Sequence, residues 1–159
     1  MYLLSMSAPT IYYIRHGETE WNAAGRLQGT QDIPLNALGR RQAAQAGHIL
    51  ASLFARDGRD SRGLGYVASP LGRARSTMDF VREALGLPAS QYALDDRLRE
   101  IGYGDWEGST LAEMQAKDPA FYAQRLTQKW TMSSPGGETY AAVQVRMRDW
   151  YDSLKGDTV

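Results

Sequence analysis

The stretch that most constrains this chain is TIYYIRHGETEWN, Thr10 to Asn22, in which a strand-like block meets a forced break. Ile11, Tyr12, Tyr13 and Ile14 are aromatic or β-branched, a composition that suits a buried strand. Arg15 and His16 follow, and Gly17 ends the pattern. The pair therefore stands at a strand's carboxyl end, where ligands collect in open α/β sheets, and the glycine allows close backbone approach to a ligand. On position alone, a strand cap with two exposed polar side chains accounts for the pair equally well.

Most of the remaining chain divides into helices, short strands and polar loops. Ala24 to Pro34 is rich in glycine and polar residues and reads as a loop. Asn36 is placed to cap a helix from Ala37 to about Phe54, with Ala46, Ile49, Leu50, Leu53 and Phe54 as its apolar stripe. His48 projects about 200° from Ala46 on that helix and falls on the wet face. It and His16 are the two histidines of the chain. Arg56 to Gly65 is a charged surface loop.

Tyr66-Val67-Ala68 reads as a short strand that turns at Ser69-Pro70 into a helix running to about Leu85, closed by Gly86 and Pro88. Arg73 and Arg75 fall in its first turn, where the helix dipole disfavours a cation and favours an anion. A bound phosphate, solvent or a nearby carboxylate would each relieve that conflict. Gln91 to Leu94 is a third strand, and the glycines and carboxylates of Leu98 to Gly108 demand a shaped loop. Thr110 to Glu113 has the form of a capping box, and Asp118-Pro119 divides the segment that follows into two short helices. Tyr140, Val143, Met147, Trp150, Tyr151 and Leu154 form the stripe of a last long helix that stops at Lys155-Gly156.

Three of these stretches together resemble the histidine phosphatase superfamily, the phosphoglycerate-mutase-like proteins. Arg15-His16-Gly17-Glu18-Thr19 with Trp21-Asn22 resembles the opening motif. Ser69-Pro70-Leu71-x-Arg73-Ala74-x-x-Thr77 is similar to the second phosphate-binding motif, and the run from Leu98 through Glu100 to Gly108 is similar to the acid loop. Pro135-Gly136-Gly137-Glu138-Thr139 also resembles a family turn, with Thr where Ser is usual. The resemblance implies a three-layer α/β/α sandwich with a mostly parallel central sheet. It makes His16 the nucleophile and Glu100 the general acid, with Arg15 and Arg73 as phosphate ligands and Asn22, Gln28 and Gly29 as further phosphate contacts. Glu107 becomes a structural member of the acid loop, and residues 109–134 a small lid over the pocket that holds whatever selects the substrate. The implied activity is a phosphomonoesterase working through a phosphohistidine, with a mutase or a non-catalytic phosphate-binding module as alternatives. Glycine, tryptophan and Glu107 after the acid resemble the phosphatase branch.

The family also supplies a second catalytic histidine after a further strand. This chain stops where that strand would start, so we expect a C-terminally incomplete domain. Residues 1–9 are expected to be a loose leader to one domain over 10–159.

Composition narrows the partners. At 159 residues and 43% hydrophobic, the chain suits a single core. Its 18 basic and 18 acidic side chains cancel, which removes the general electrostatic footprint for nucleic acid or an anionic membrane. The absence of cysteine rules out disulfides and thiolate zinc sites and fits a reducing compartment. The first residues lack a basic n-region, and no apolar run could span a bilayer. The expectation is a cytoplasmic protein acting on a small phosphorylated metabolite without metal or other cofactor, its oligomeric state left open with a dimer among the options.

Overall fold

The computed structural model describes residues 9–154 and 157–159, so the expected leader, save Pro9, and the expected helix stop at Lys155-Gly156 lie outside the described residues. Four extended segments lie side by side, all parallel. Ile11 bridges Thr158, Thr158 bridges Gly65, and β1 (Val67–Ala68) pairs with β2 (Ala93–Leu94). The ladder is continuous. Thr158 N donates to Thr10 O at 3.0 Å, Tyr12 N to Thr158 O at 2.9 Å, Val159 N to Gly65 O at 2.8 Å and Val67 N to Val159 O at 3.0 Å. Asp157 to Val159 therefore sit between the opening segment and β1. The fold is α/β with a parallel sheet.

The opening segment departs from a buried strand. Its regular pairing is the single bridge at Ile11, and the Tyr13 side chain is 84% exposed. Period-2 alternation explains the split, since Tyr12 and Ile14 turn onto the core while Tyr13 points away. Tyr12 packs edge-on against Phe54 with ring centroids 5.1 Å apart. The third strand is likewise trimmed to Ala93–Leu94, because its hydrogen bonds to β1 run from Ala93 N to Tyr66 O and from Asp95 N to Ala68 O.

Helix α1 (Glu20–Ala23) is one turn, and α2 (Ala37–Asp57) is the longest. Asn36 caps α2 by accepting from Gly39 N, and Gly58 ends it at φ 63°. The buried face of α2 is Gly39, Ala43, Gly47, Leu50 and Phe54, so Ile49 is corrected to an exposed position. Small residues sit there because α3 (Gly72–Ala84) passes close. A β-carbon on Gly47 would lie 2.7 Å from that of Ala84. Leu50 and Phe54 of α2, Met78 and Val81 of α3, and Tyr66, Ala68 and Val159 of the sheet form the main core. Each fully buried side chain of this size contributes about 1.5–3 kcal/mol.

Helices α4 (Leu111–Lys117) and α5 (Pro119–Gln128) follow the acid loop. Thr110 and Glu113 make the expected capping box, and Asp118 caps α5 with proline at its start. Helix α6 (Tyr140–Asp152) begins at an N-cap Thr139 and closes with Ser153. Tyr140, Val143, Met147 and Trp150 of its stripe face a cavity rather than the main core, and Tyr151 is corrected to an exposed position. No helix among the described residues is long and apolar enough to cross a membrane.

Candidate active site

A cavity of about 600 Å³ opens beside the sheet, and His16, Arg15, Arg73 and Glu100 all line it. Three separate stretches of the sequence thus supply one pocket. Its floor is apolar, with Ile11, Ile14, Val67 and Met78, and α6 forms another wall.

His16 Nδ1 lies 2.7 Å from the Gly17 carbonyl. A carbonyl oxygen only accepts, so Nδ1 carries the proton and Nε2 keeps its lone pair. Burial pulls the His16 imidazole below its usual value, the charges of Arg73 and Arg15 add to the shift, and the Gly17 carbonyl and Glu100 oppose it. The ring is held neutral in one tautomer, as a nucleophile requires.

The rest of the opening motif is support. A β-carbon on Gly17 would run into the backbone of Gly39, and one on Gly39 into the backbone of Glu18, so the loop and the first turn of α2 pack main chain on main chain. Gly17 N donates to Thr77 Oγ1 at 3.1 Å, and Thr77 in turn donates to the Arg73 carbonyl at 2.9 Å. The His16 loop and the buried arginine are thereby tied to the same turn of α3. Glu18 accepts from the Asn36 side chain at 2.8 Å, and Thr19 is buried as the N-cap of α1.

Arg73 is only 1% exposed. Its Nη1 donates to Gln31 O at 2.6 Å, and its Nη2 to Gly29 O at 2.8 Å and Glu100 Oε2 at 2.7 Å. The guanidinium is thus aimed by two loop carbonyls and shared with the candidate acid. Asp32 Oδ2 accepts from Gly72 N at 2.9 Å at the start of α3. Carboxylates therefore settle the conflict between cation and helix dipole. Arg15 is exposed at the rim, with no hydrogen-bonded partner among the described residues, while Arg75 is exposed on α3 outside the lining of this cavity.

Asn22, Gln28 and Gly29 stand behind the wall instead of lining the cavity. Asn22 Oδ1 accepts from Thr19 N at 3.1 Å, and buried Gln28 accepts from Thr19 Oγ1 at 2.8 Å. Gly29 contributes its carbonyl to Arg73. The side-chain oxygens of Asn22 and Gln28 and the carbonyl of Gly29 hold the loop. His48 is exposed on α2, as its helical phase requires.

The acid loop is built against the last glycine turn. Gly104, at φ 52°, packs its α-carbon side onto the backbone of Pro135 to Gly137, where any side chain would collide. Asp105 N donates to Pro135 O at 2.9 Å, Glu138 N to Gly102 O at 2.8 Å and Ser134 Oγ to Tyr103 O at 2.6 Å. Glu138 accepts from Gly102 N at 2.9 Å and pairs with Arg146 at 3.2 Å. Glu107 accepts from Thr30 N at 2.8 Å, Gln31 Nε2 at 3.0 Å and Tyr103 N at 3.1 Å. Burial pushes its carboxyl up, but these donors outweigh it and hold the group below its usual value. It pins the loop carrying Gly29 and Gln31 to the loop carrying Glu100.

Sequence reasoning passed over Gly39 and Asp32. Gly39 left a faint trace as a glycine inside a helix start, and Asp32 left none, because its partner is 40 residues away.

The chain matches the histidine phosphatase superfamily (branch 1) across residues 11–158. It is 34% identical over 144 residues to the Erwinia tasmaniensis protein named "Probable phosphoglycerate mutase GpmB", an overlap of 90% of this chain and 61% of that one. It is 37% identical over 142 residues to the glucosyl-3-phosphoglycerate phosphatase of Mycolicibacterium vanbaalenii, covering 89% of this chain and 57% of the relative. The solved structure of a mycobacterial glucosyl-3-phosphoglycerate phosphatase complexed with VO3 superposes with a TM-score of 0.72 at 35% identity, over 87% of this chain and 61% of that one. The chain spans about three fifths of the length of the curated relatives it matches. It belongs to the histidine phosphatase superfamily.

Proposed function

We propose that this member of the histidine phosphatase superfamily is a phosphomonoesterase in which His16 takes the phosphoryl group and Glu100 moves the proton. The observation that carries the reading is His16 itself. It is a neutral imidazole whose Nδ1 proton is committed to Gly17, with Nε2 left to react in a pocket shared with Arg15, Arg73 and Glu100.

In the first step the Nε2 lone pair attacks phosphorus, the bond to the ester oxygen breaks, and the departing oxygen takes a proton from Glu100. In the second, Glu100 as carboxylate takes a proton from water, the water oxygen attacks phosphorus, and the phosphorus–nitrogen bond breaks to return His16. The arginines carry the charge of the transferring group, since guanidinium binds phosphate oxygens in forked pairs. No metal takes part. The Arg73–Glu100 contact gives the pocket a resting state with both charges paired. An entering phosphate dianion competes for that guanidinium and so displaces the Glu100 contact.

Two further observations support the reading. The relatives include a named phosphatase, and a solved relative is complexed with VO3, an oxyanion. The substrate is a small phosphorylated metabolite and the setting cytoplasmic, in keeping with zero formal net charge and the absence of cysteine. Phosphoglycerate mutase-type transfer is the second reading, favoured by the name of the Erwinia relative. There the phosphohistidine passes its phosphoryl group to a hydroxyl instead of water.

Quenching the full-length protein during turnover should trap an acid-labile, base-stable phosphoryl label that is absent from His16→Ala. Label that persists in that variant, or its absence from the wild type, removes His16 as nucleophile. Release of inorganic phosphate from phosphoglycerate, as against its isomerisation, separates phosphatase from mutase. Glu100→Gln should slow esters with poor leaving groups by roughly 10²- to 10⁴-fold and activated aryl esters much less in single-turnover transfer. An equal loss on both would make Glu100 a shaping residue.

A further inference from the structure

Thr77 lines the reaction cavity from the second turn of α3 but takes no part in the chemistry proposed for His16. Its side chain is buried, and as a threonine inside a helix it bonds back four residues, the hydroxyl donating to the Arg73 carbonyl at 2.9 Å. That bond selects between the two χ1 rotamers open to a helical threonine, and in the one selected Oγ1 accepts from Gly17 N at 3.1 Å. A hydroxyl has one proton, and that of Thr77 is committed to Arg73. What remains for the cavity is lone-pair density, which a phosphate repels. Thr77 in this arrangement is therefore no phosphate donor, and any effect it has on the reaction passes through Gly17.

Gly17 is held from three sides. Thr77 takes its N–H, the Gly39 backbone lies against its α-carbon, and its carbonyl accepts from His16 Nδ1 at 2.7 Å. The hydrogen bonds form an unbroken chain from His16 Nδ1–H to Gly17 O, from Gly17 N–H to Thr77 Oγ1, and from the Thr77 hydroxyl to Arg73 O. It runs from the imidazole to the backbone of the residue whose guanidinium charge acts on that imidazole. The bond at Nδ1 is the one hydrogen bond of the His16 ring among the described residues. The tautomer and the aim of Nε2 therefore depend on where the Gly17 carbonyl stands. A glycine does not fix its own dihedral angles, so the direction of that carbonyl has to be secured from outside, and Thr77 is the hydrogen-bonding part of that support.

We propose that Thr77 is a positioning residue for His16. By holding the amide of Gly17 it sets the carbonyl that keeps the imidazole in the Nδ1–H tautomer, with Nε2 open to the cavity. This rests on the reading of His16 as the group that takes the phosphoryl. Thr77 touches no reacting atom, so its removal should slow the transfer step and spare the binding of phosphate.

Thr77→Val keeps the shape and removes both hydrogen bonds, whereas Thr77→Ser keeps the hydroxyl. In the full-length protein Thr77→Val should lower kcat on an aryl phosphate by roughly 10- to 100-fold, the cost of a slightly misplaced reacting group, and leave the Kd for inorganic phosphate unchanged. Thr77→Ser should recover most of the loss. Nitrogen NMR of the imidazole at a pH where the ring is neutral, with signals assigned by their loss in His16→Ala, should show the Nδ1–H form alone in the wild type and in Thr77→Ser. In Thr77→Val the Nε2–H form should appear beside it, with the reactive nitrogen blocked by a proton. An unchanged tautomer and kcat in Thr77→Val overturn the proposal. A loss that Thr77→Ser shares in full, or one that falls on phosphate binding and not on kcat, overturns it too. The spectra need no turnover, so they decide the role of Thr77 even if His16 carries no phosphoryl label. Thr77→Ala removes the same bonds with no demand on space, and the same outcomes apply to it should Thr77→Val fail to fold. In the wild type by itself, a Gly17 amide that exchanges with solvent as fast as an open chain, or an Nε2–H tautomer of His16, overturns the proposal.

Discussion

The two halves of the pocket are held in different ways. His16 stands on a segment with one bridge to Thr158, an exposed Tyr13 and an exposed Arg15, and among its supports is the close backbone approach of Gly17 to Gly39. Glu100 stands on two glycine-rich turns locked by backbone pairs, by Ser134, and by the carboxylates of Glu107 and Glu138. The Glu100 side is a clasp of two turns tied by their own backbone. The His16 side borrows its position from α2, α3 and the strand at Thr158. A reacting group placed by distant elements is exposed to every change in their packing, whereas the clasp resists such changes locally.

Arg73 joins the two halves, so its removal should have the largest effect. Arg73→Ala takes away a preorganised phosphate ligand, for which we expect a loss of about 10³-fold in kcat/KM. It also leaves the Gly29 and Gln31 carbonyls without their donor, which should cost about 2–4 kcal/mol in chemical denaturation. Near-normal turnover would mean that the halves do not communicate through this side chain.

Gly17→Ala tests the borrowed side. The new methyl collides with the Gly39 backbone, and a shift of even about 1 Å at His16 should slow turnover by about 10²-fold while costing about 1–3 kcal/mol. The rate effect should exceed anything that the loss of stability explains. A variant with wild-type rate and melting temperature would show that the backbone contact is not what positions the nucleophile.

Glu107→Gln tests the clasp and should act mainly on stability. The folded carboxyl titrates below its usual 4.5, so its contribution is fully present above that value and is lost as pH falls through the lower folded one. Wild type and variant should therefore differ by about 1 kcal/mol at neutral pH and converge in acid. A constant difference down to low pH would mean that Glu107 acts by shape and not by charge. The rate on aryl phosphate should fall only slightly, because the backbone pairs remain.

Much of this was legible in the chain. The stretches around His16, Arg73 and Glu100 signal themselves by residue type at short spacing, as do the caps at Asn36 and Thr110. Local backbone chemistry decides such features, and local sequence encodes them. The opening block was misjudged as buried because its residue types suit a covered strand on both faces. Which face is covered depends on the neighbours of the segment.

The sequence by itself determined the α/β class, the helix starts after Asn36 and Thr110 and the four side chains brought together in the pocket. The tertiary structure alone decided which arginine is buried and aimed, that Asp32 caps a helix 40 residues away, and that Arg125 is turned inward onto Trp106. Those outcomes depend on contacts between residues far apart in the chain. Side-chain burial and hydrogen-bond partnership are properties of such pairs, and no window of sequence contains both members.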